Sequence, residues 1–234
     1  NQTLTTNAGT NVNGSGGVAL VGANMTLNGT VTAAGQTVTL RQISNGRLIN
    51  LGTKVAGQLG LTDAELDRVT ATTLKIGNNA SGNISNTAAI SPANASTLSL
   101  ETAGTITQTA TGSLTVPTLI AKTRNNLGGA ITLGNATNEV ATIDLQARNV
   151  ADTADANGVI TYRDASGFDV AAVQTAGTLN LTAGGSITDS GALLVGGTTI
   201  LTAGTNNITV DTTTNSFNTV VVASGNNVTL VDAD

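Results

Sequence analysis

Short runs of aliphatic and β-branched residues recur along the whole chain, separated by Gly, Asn and Ser. The runs Gly177-Thr-Leu-Asn-Leu-Thr-Ala-Gly184 and Gly197-Thr-Thr-Ile-Leu-Thr-Ala-Gly204 share one pattern, and Ser96–Gly104 reads the same way. Apolar and polar positions alternate within them, as expected of strands with one face inside. Leu98, Leu119, Ile143, Ile160, Leu179, Ile200 and Val220 form one series with a step of about 20 residues, the scale of a solenoid repeat. Ile106, Ile131, Val150, Val170, Ile187, Ile208 and Val228 form a second, and Leu114, Leu194 and Phe217 a weaker third. Each period thus predicts two or three strands of about three to five residues.

Such a period has a natural solution in an all-β parallel β-helix, in which each strand pairs with its equivalent in the coils above and below. Roughly eleven coils stacked at about 4.8 Å predict a rod on the order of 50 Å, a single solenoid domain over residues 1–234. Inward Leu, Ile and Val would stack on their own kind in a narrow interior without room for aromatics. Outward Thr favours the strand while its hydroxyl stays solvated. Asn206-Asn207, Gly225-Asn226-Asn227, Gly77-Asn78-Asn79 and Asn125-Asn126 are expected at corners that need positive φ, where stacked Asn can form a ladder. The competing antiparallel sandwich would place hairpins at Asn-Gly 28–29, 45–46 and 157–158. A propeller needs a period near 40–45 and signature aromatics, and is rejected.

One segment breaks the pattern. In residues 60–69, Thr62 followed by Glu65 forms a capping box, Asp63 suits a first helical turn, and Leu66 and Val69 share a face. A short helix near 61–69 is predicted, as a corner excursion covering the core rather than a binding loop. Arg41 and Arg47 upstream are candidate partners for Asp63, Glu65 and Asp67.

Composition narrows the function. Aromatics are 1% and charged residues 10% of the 234 residues, with 39% hydrophobic, 28 Gly, 2 Pro and no Cys, His or Trp. Zinc, haem and iron–sulfur sites of the usual kind lack ligands, and cysteine or Ser-His-Asp hydrolases lack their residues. Nine basic against 14 acidic residues, a net charge of −5, argue against a nucleic-acid groove or a polybasic membrane contact. A mean hydropathy of +0.15 with sparse charge separates the chain from disordered ones. No apolar stretch approaches the ~20 residues needed to span a bilayer.

The run Leu59-Gly-Leu-Thr-Asp-Ala-Glu-Leu-Asp-Arg-Val-Thr-Ala71, with Leu74-Lys-Ile-Gly77 and Ile90-Ser-Pro-Ala-Asn94, resembles large bacterial surface proteins related to filamentous haemagglutinin. Tyr162-Arg-Asp-Ala-Ser-Gly-Phe168 is similar to the acidic-aromatic spacer of their repeats. The resemblance implies a right-handed β-helix rod, secreted by a Gram-negative cell and used as an adhesin or matrix fibre. The family's amino-terminal secretion domain and an Arg-Gly-Asp motif are not visible in this sequence.

Catalysis could rest only on paired carboxylates, and the candidates are Asp152/Asp155, Asp164/Asp169 and Glu139/Asp144. Glycoside hydrolysis needs two carboxyls at a set separation and platforms for sugar rings, which one Tyr and two Phe supply poorly. Asp152, Asp155 and Asn157 superficially resemble a calcium loop, but its downstream Gly and Glu are out of register. Thr-x-Thr at 30–32, 37–39 and 105–107 suggests an ice-matching face, which would need the motif in consecutive coils. Asn-x-Ser/Thr sequons, such as Asn79-Ala-Ser81 and Asn207-Ile-Thr209, are mostly compositional. The expectation is therefore a non-enzymatic extracellular or cell-surface fibre segment, with no cofactor, metal or catalytic residues. Its expected partners are further solenoid, by end-to-end self-association or continuation in a longer chain, and host or cell-surface glycans; no nucleic acid and no membrane insertion are expected. A carbohydrate-binding or carbohydrate-processing β-helix is the alternative. Neither end of the sequence reads as a cap.

Overall fold

The computed structural model describes residues 2–233 and winds them into an all-β parallel solenoid of about 11 turns, with coils about 21 residues apart. Strands such as Ala95–Thr102, Thr115–Arg124 and Glu139–Arg148 pair in parallel with the equivalent strands one coil away. No hairpin forms at the Asn-Gly pairs. Among the described residues the one antiparallel contact is an isolated bridge between Arg148 and Asp155.

The interior is built from columns of like residues. Leu40, Ile76, Leu100, Ala121, Leu145, Val173 and Leu193 stack in successive coils, all fully buried. Ile49, Ile84, Ile106, Ile131, Ile160 and Leu179 form a second column on another side. Burial of each Leu or Ile is worth about 1.5–3 kcal/mol, so the columns are the main source of cohesion along the axis.

The columns correct all three expected series. Ile160 stacks on Ile131 and Leu179, while Ile143 lies beside Val170. An excursion at 149–158 lengthens this coil and carries Val150 to the surface, where it is 50% exposed. Ile187, Ile208 and Val228 consequently stack on Phe168 rather than on Val170. At the next coils the parity is shifted by one: Thr199 lies on Leu179 and is buried, whereas Ile200 is only half-buried, and Leu193 and Val195, not Leu194, face the core.

The interior also admits aromatics, contrary to expectation. Tyr162 is fully buried, and its ring meets Phe168 edge to face, with centroids 5.1 Å apart and planes at 88°. Phe217 is buried as well.

Corners are turned by glycine rather than by left-handed asparagine. Gly77 has φ of 80°, and a Cβ there would sit 2.3 Å from the Glu101 carbonyl oxygen of the next coil. Asp152 alone among described non-glycine residues has positive φ, 61°. The corner asparagines act through their side chains instead. Asn125 Nδ2 donates to the Ala103 carbonyl at 3.0 Å, and Asn207 Oδ1 accepts from the Asn227 backbone N–H and Nδ2, each at 3.2 Å. Buried threonines do the same inside the rod. Thr102 Oγ1 donates to the Gly82 carbonyl at 2.6 Å and accepts from Gly104 N–H at 2.9 Å, and Thr175 repeats this with Gly158 and Gly177.

The predicted helix is the single turn Asp63–Leu66, with Thr62 as N-cap. Glu65 Oε2 accepts from the Thr62 backbone N–H at 2.8 Å and its hydroxyl at 2.9 Å. The expected arginine pairs do not form. Glu65 is bound by Lys54 at 2.6 Å, and Asp63 and Asp67 accept from the backbone N–H groups of Ser91 and Ala93 in the next coil, at 2.6 and 3.0 Å. The helix thus ties coils together, as a cover for the core requires.

Candidate functional site

The three carboxylate pairs do not form paired sites. Asp164 is buried and accepts from Tyr162 Oη and Val140 N–H on one oxygen, and from Ser166 N–H and Oγ on the other. Burial and this carboxylate push the Tyr162 phenol well above its ordinary pKa. Asp169 faces outward instead and accepts from the Ser190 hydroxyl at 2.5 Å. Glu139 lies in a shallow exposed groove with Val116, Pro117 and Ala141. Asp144, farther along the same strand, accepts from Gln146 Nε2 at 2.6 Å, and burial raises its pKa.

Asp152 and Asp155 do converge, but on a guanidinium. Arg148 Nε meets Asp152 at 3.2 Å and its Nη1 pairs with Asp155. This places a cation where the calcium reading put a metal, and among the described residues no three Asp or Glu gather as a ligand set.

These contacts belong to a larger cluster on one side of the rod. Lys75 pairs with Glu101 at 2.6 Å, and Arg124 bridges Glu101 at 3.3 Å to Asp152 at 3.2 Å. Lys122 adds a contact to Asp152 at 3.1 Å. Partial burial would raise the Asp152 pKa, but Lys122, Arg148 and Arg124 outweigh it and hold the carboxyl below its ordinary value. A cleft of about 260 Å³ opens between Lys75, Glu101, Lys122 and Asp152. Four of the nine basic residues of the chain stand here, although they are spread from residue 75 to residue 148 of the sequence. The stacking of equivalent strand positions brings them together, a signal that reading the coil register could have found.

The outer surface carries a hydroxyl column. Thr37, Thr73, Thr97, Thr118, Thr142, Asp169, Thr188, Thr209 and Thr229 lie at paired positions of successive coils, and none is buried. The Thr-x-Thr pairs do not make one flat face. Thr30 and Thr32 pair with Asn11 and Asn13, Thr37 and Thr39 lie across a register shift on the same strand, and Thr107 pairs with Ser85 and Thr132 on another side.

Residues 91–146 and 156–224 match the family described as Repeats of unknown function (DUF5649), more than half of the chain. The chain belongs to that family. No curated protein and no solved structure matches it. The two DUF5649 segments coincide with the regular coils from the Ile90 turn onward. The break between them, residues 147–155, overlaps the excursion at 149–158, which carries Asp152 and Asp155, and includes Arg148 at the end of the preceding strand. Among the described residues no helix is long and apolar enough to cross a membrane.

Proposed function

We propose that the chain is a segment of an extracellular structural or adhesive fibre, the rod of a filamentous-haemagglutinin-like cell-surface adhesin or biofilm-matrix filament. The observation that carries this reading is the continuity of the columns to the last described coil. Val222, Val228 and Leu230 occupy inner columns, above Leu201, Ile208 and Val210, yet they are 36%, 40% and 37% exposed. A further solenoid coil, from a second copy or from continuing chain, would bury them and pair the open strand edge. Sparse charge and hydroxyl-bearing side chains on the outside suit an exposed rod. Its adhesive contacts would be with glycans of a host or neighbouring cell. The carbohydrate-processing alternative would need two carboxyls facing each other across a cleft, and the candidate pairs are divided between interior, surface and an arginine.

Negative-stain electron microscopy of the 234-residue protein, followed by fibre diffraction, tests the proposal. Long thin filaments with a meridional spacing near 4.8 Å support axial stacking of coils. Short rods that stay discrete at high concentration overturn end-to-end assembly of this segment. Cleavage of a glycan by such rods, read as release of reducing ends, would then favour the carbohydrate-processing alternative.

A further inference from the structure

The turn at 149–158 folds back over the strand Thr115–Arg124 and is held there by polar contacts. Arg124 donates from Nη2 to the Val150 carbonyl at 2.9 Å, and the Val150 N–H donates to Asn126 Oδ1 at 3.0 Å. At its tip the Asp152 carboxylate receives Lys122 Nζ at 3.1 Å, Arg124 Nη1 at 3.2 Å and Arg148 Nε at 3.2 Å. Three cations from two successive coils around one carboxylate is the arrangement that recognises an oxyanion. Asp152 also lies in the stretch that separates the two DUF5649 segments, outside the regular coils.

We propose that Lys122, Arg124 and Arg148 form an oxyanion-binding site that the chain's own Asp152 occupies, and that a sulfate, phosphate or carboxylate group takes its place when the turn swings outward. The charges around the site agree. Without Asp152, Arg124 keeps Glu101 and Arg148 keeps Asp155, but Lys122 has no other ion pair among the described residues. Asp144 is the remaining acid facing Lys122. The cations already stand in position on paired strands, so a ligand meets a preorganised site and must displace only a turn whose carboxylate is 29% exposed. This site stands independently of the fibre reading.

Calorimetric titration of inorganic sulfate into the 234-residue protein and into Asp152→Gly, at ionic strength held constant with sodium chloride, tests the proposal. Glycine suits the left-handed backbone and removes the internal anion. Sulfate should bind Asp152→Gly about tenfold or more tightly than the parent, and adding Arg124→Gln should abolish the gain. A parallel titration with acetate separates tetrahedral from planar oxyanions. A natively folded Asp152→Gly that binds no better than the parent overturns the proposal, as does a gain that survives Arg124→Gln. Asp152→Asn serves as a second variant that keeps the side-chain shape. If both variants lose the parallel-sheet spectrum, Asp152 builds the rod rather than covering a site, and the proposal fails.

Discussion

Replacing Asp164 by asparagine should destabilise the rod almost as much as replacing it by alanine, although asparagine has the same shape. The reason lies in how the donors are divided. One carboxylate oxygen accepts from Val140 N–H at 2.9 Å and from Tyr162 Oη, and the other accepts from Ser166 N–H at 2.9 Å and Ser166 Oγ at 3.1 Å. Each oxygen therefore faces a backbone N–H that cannot turn away. An amide at this position must aim its NH2 group at one of them, donor against donor, whichever way it is flipped. The residue is 2% exposed, so water cannot take over the orphaned group. Losing a hydrogen bond to a carboxylate costs about 1.5–3 kcal/mol, and an unsatisfied buried N–H about 1–3 kcal/mol. Asp164→Asn should thus lose about 2–4 kcal/mol. Tyr162→Phe removes one donor and leaves Val140 paired, so it should lose about 1–2 kcal/mol. Urea unfolding at neutral pH measures the differences, and amide hydrogen exchange at Val140 and Ser166 locates them. An Asp164→Asn protein within about 0.5 kcal/mol of the parent, well under the range expected for a buried donor clash, would show that the division of donors has been misread.

Three further outcomes are expected. Lys54→Met should destabilise by about 2 kcal/mol at neutral pH, because Glu65 is buried and loses its cation. Burial alone would raise the Glu65 pKa, but Lys54, Thr62 and Leu27 together hold it below its ordinary value. Its contribution is therefore full above the unfolded pKa of about 4.3 and is lost as pH falls through the lower folded value, so the two proteins should converge in acid-unfolding curves. Gly191→Ala should destabilise by more than about 2 kcal/mol in thermal melts, since its Cβ would lie 1.9 Å from the Ala171 carbonyl oxygen of the neighbouring coil. In a digestion time course, cleavage should begin in the exposed turn Ile43–Leu48, where Ile43 is 64% and Leu48 42% exposed, while the DUF5649 coils persist. Rapid cleavage throughout would contradict a rod knit by inter-coil hydrogen bonds.

Local features were legible from the residues alone. The alternation in Ser96–Gly104 and Gly177–Gly184 marks strands with one buried face, and a step of about 20 residues admits few architectures besides stacked coils. The capping box of Thr62 and Glu65 placed the helix because its hydrogen bonds span only three residues. What depended on the tertiary structure is which residues meet across coils. An excursion at 149–158 has no periodic signature, yet it moves Ile160 from one column to another and Val150 from inside to outside. A shift of one residue exchanges the two faces of a strand, so Thr199 rather than Ile200 enters the core. The convergence of Lys122, Arg124 and Arg148 on Asp152 and the isolation of Asp164 beside Tyr162 follow from the same stacking. Periodicity in the sequence therefore determines the coil, while partners some 20–30 residues apart are chosen by the register of one coil on the next, which the length of each connecting excursion sets.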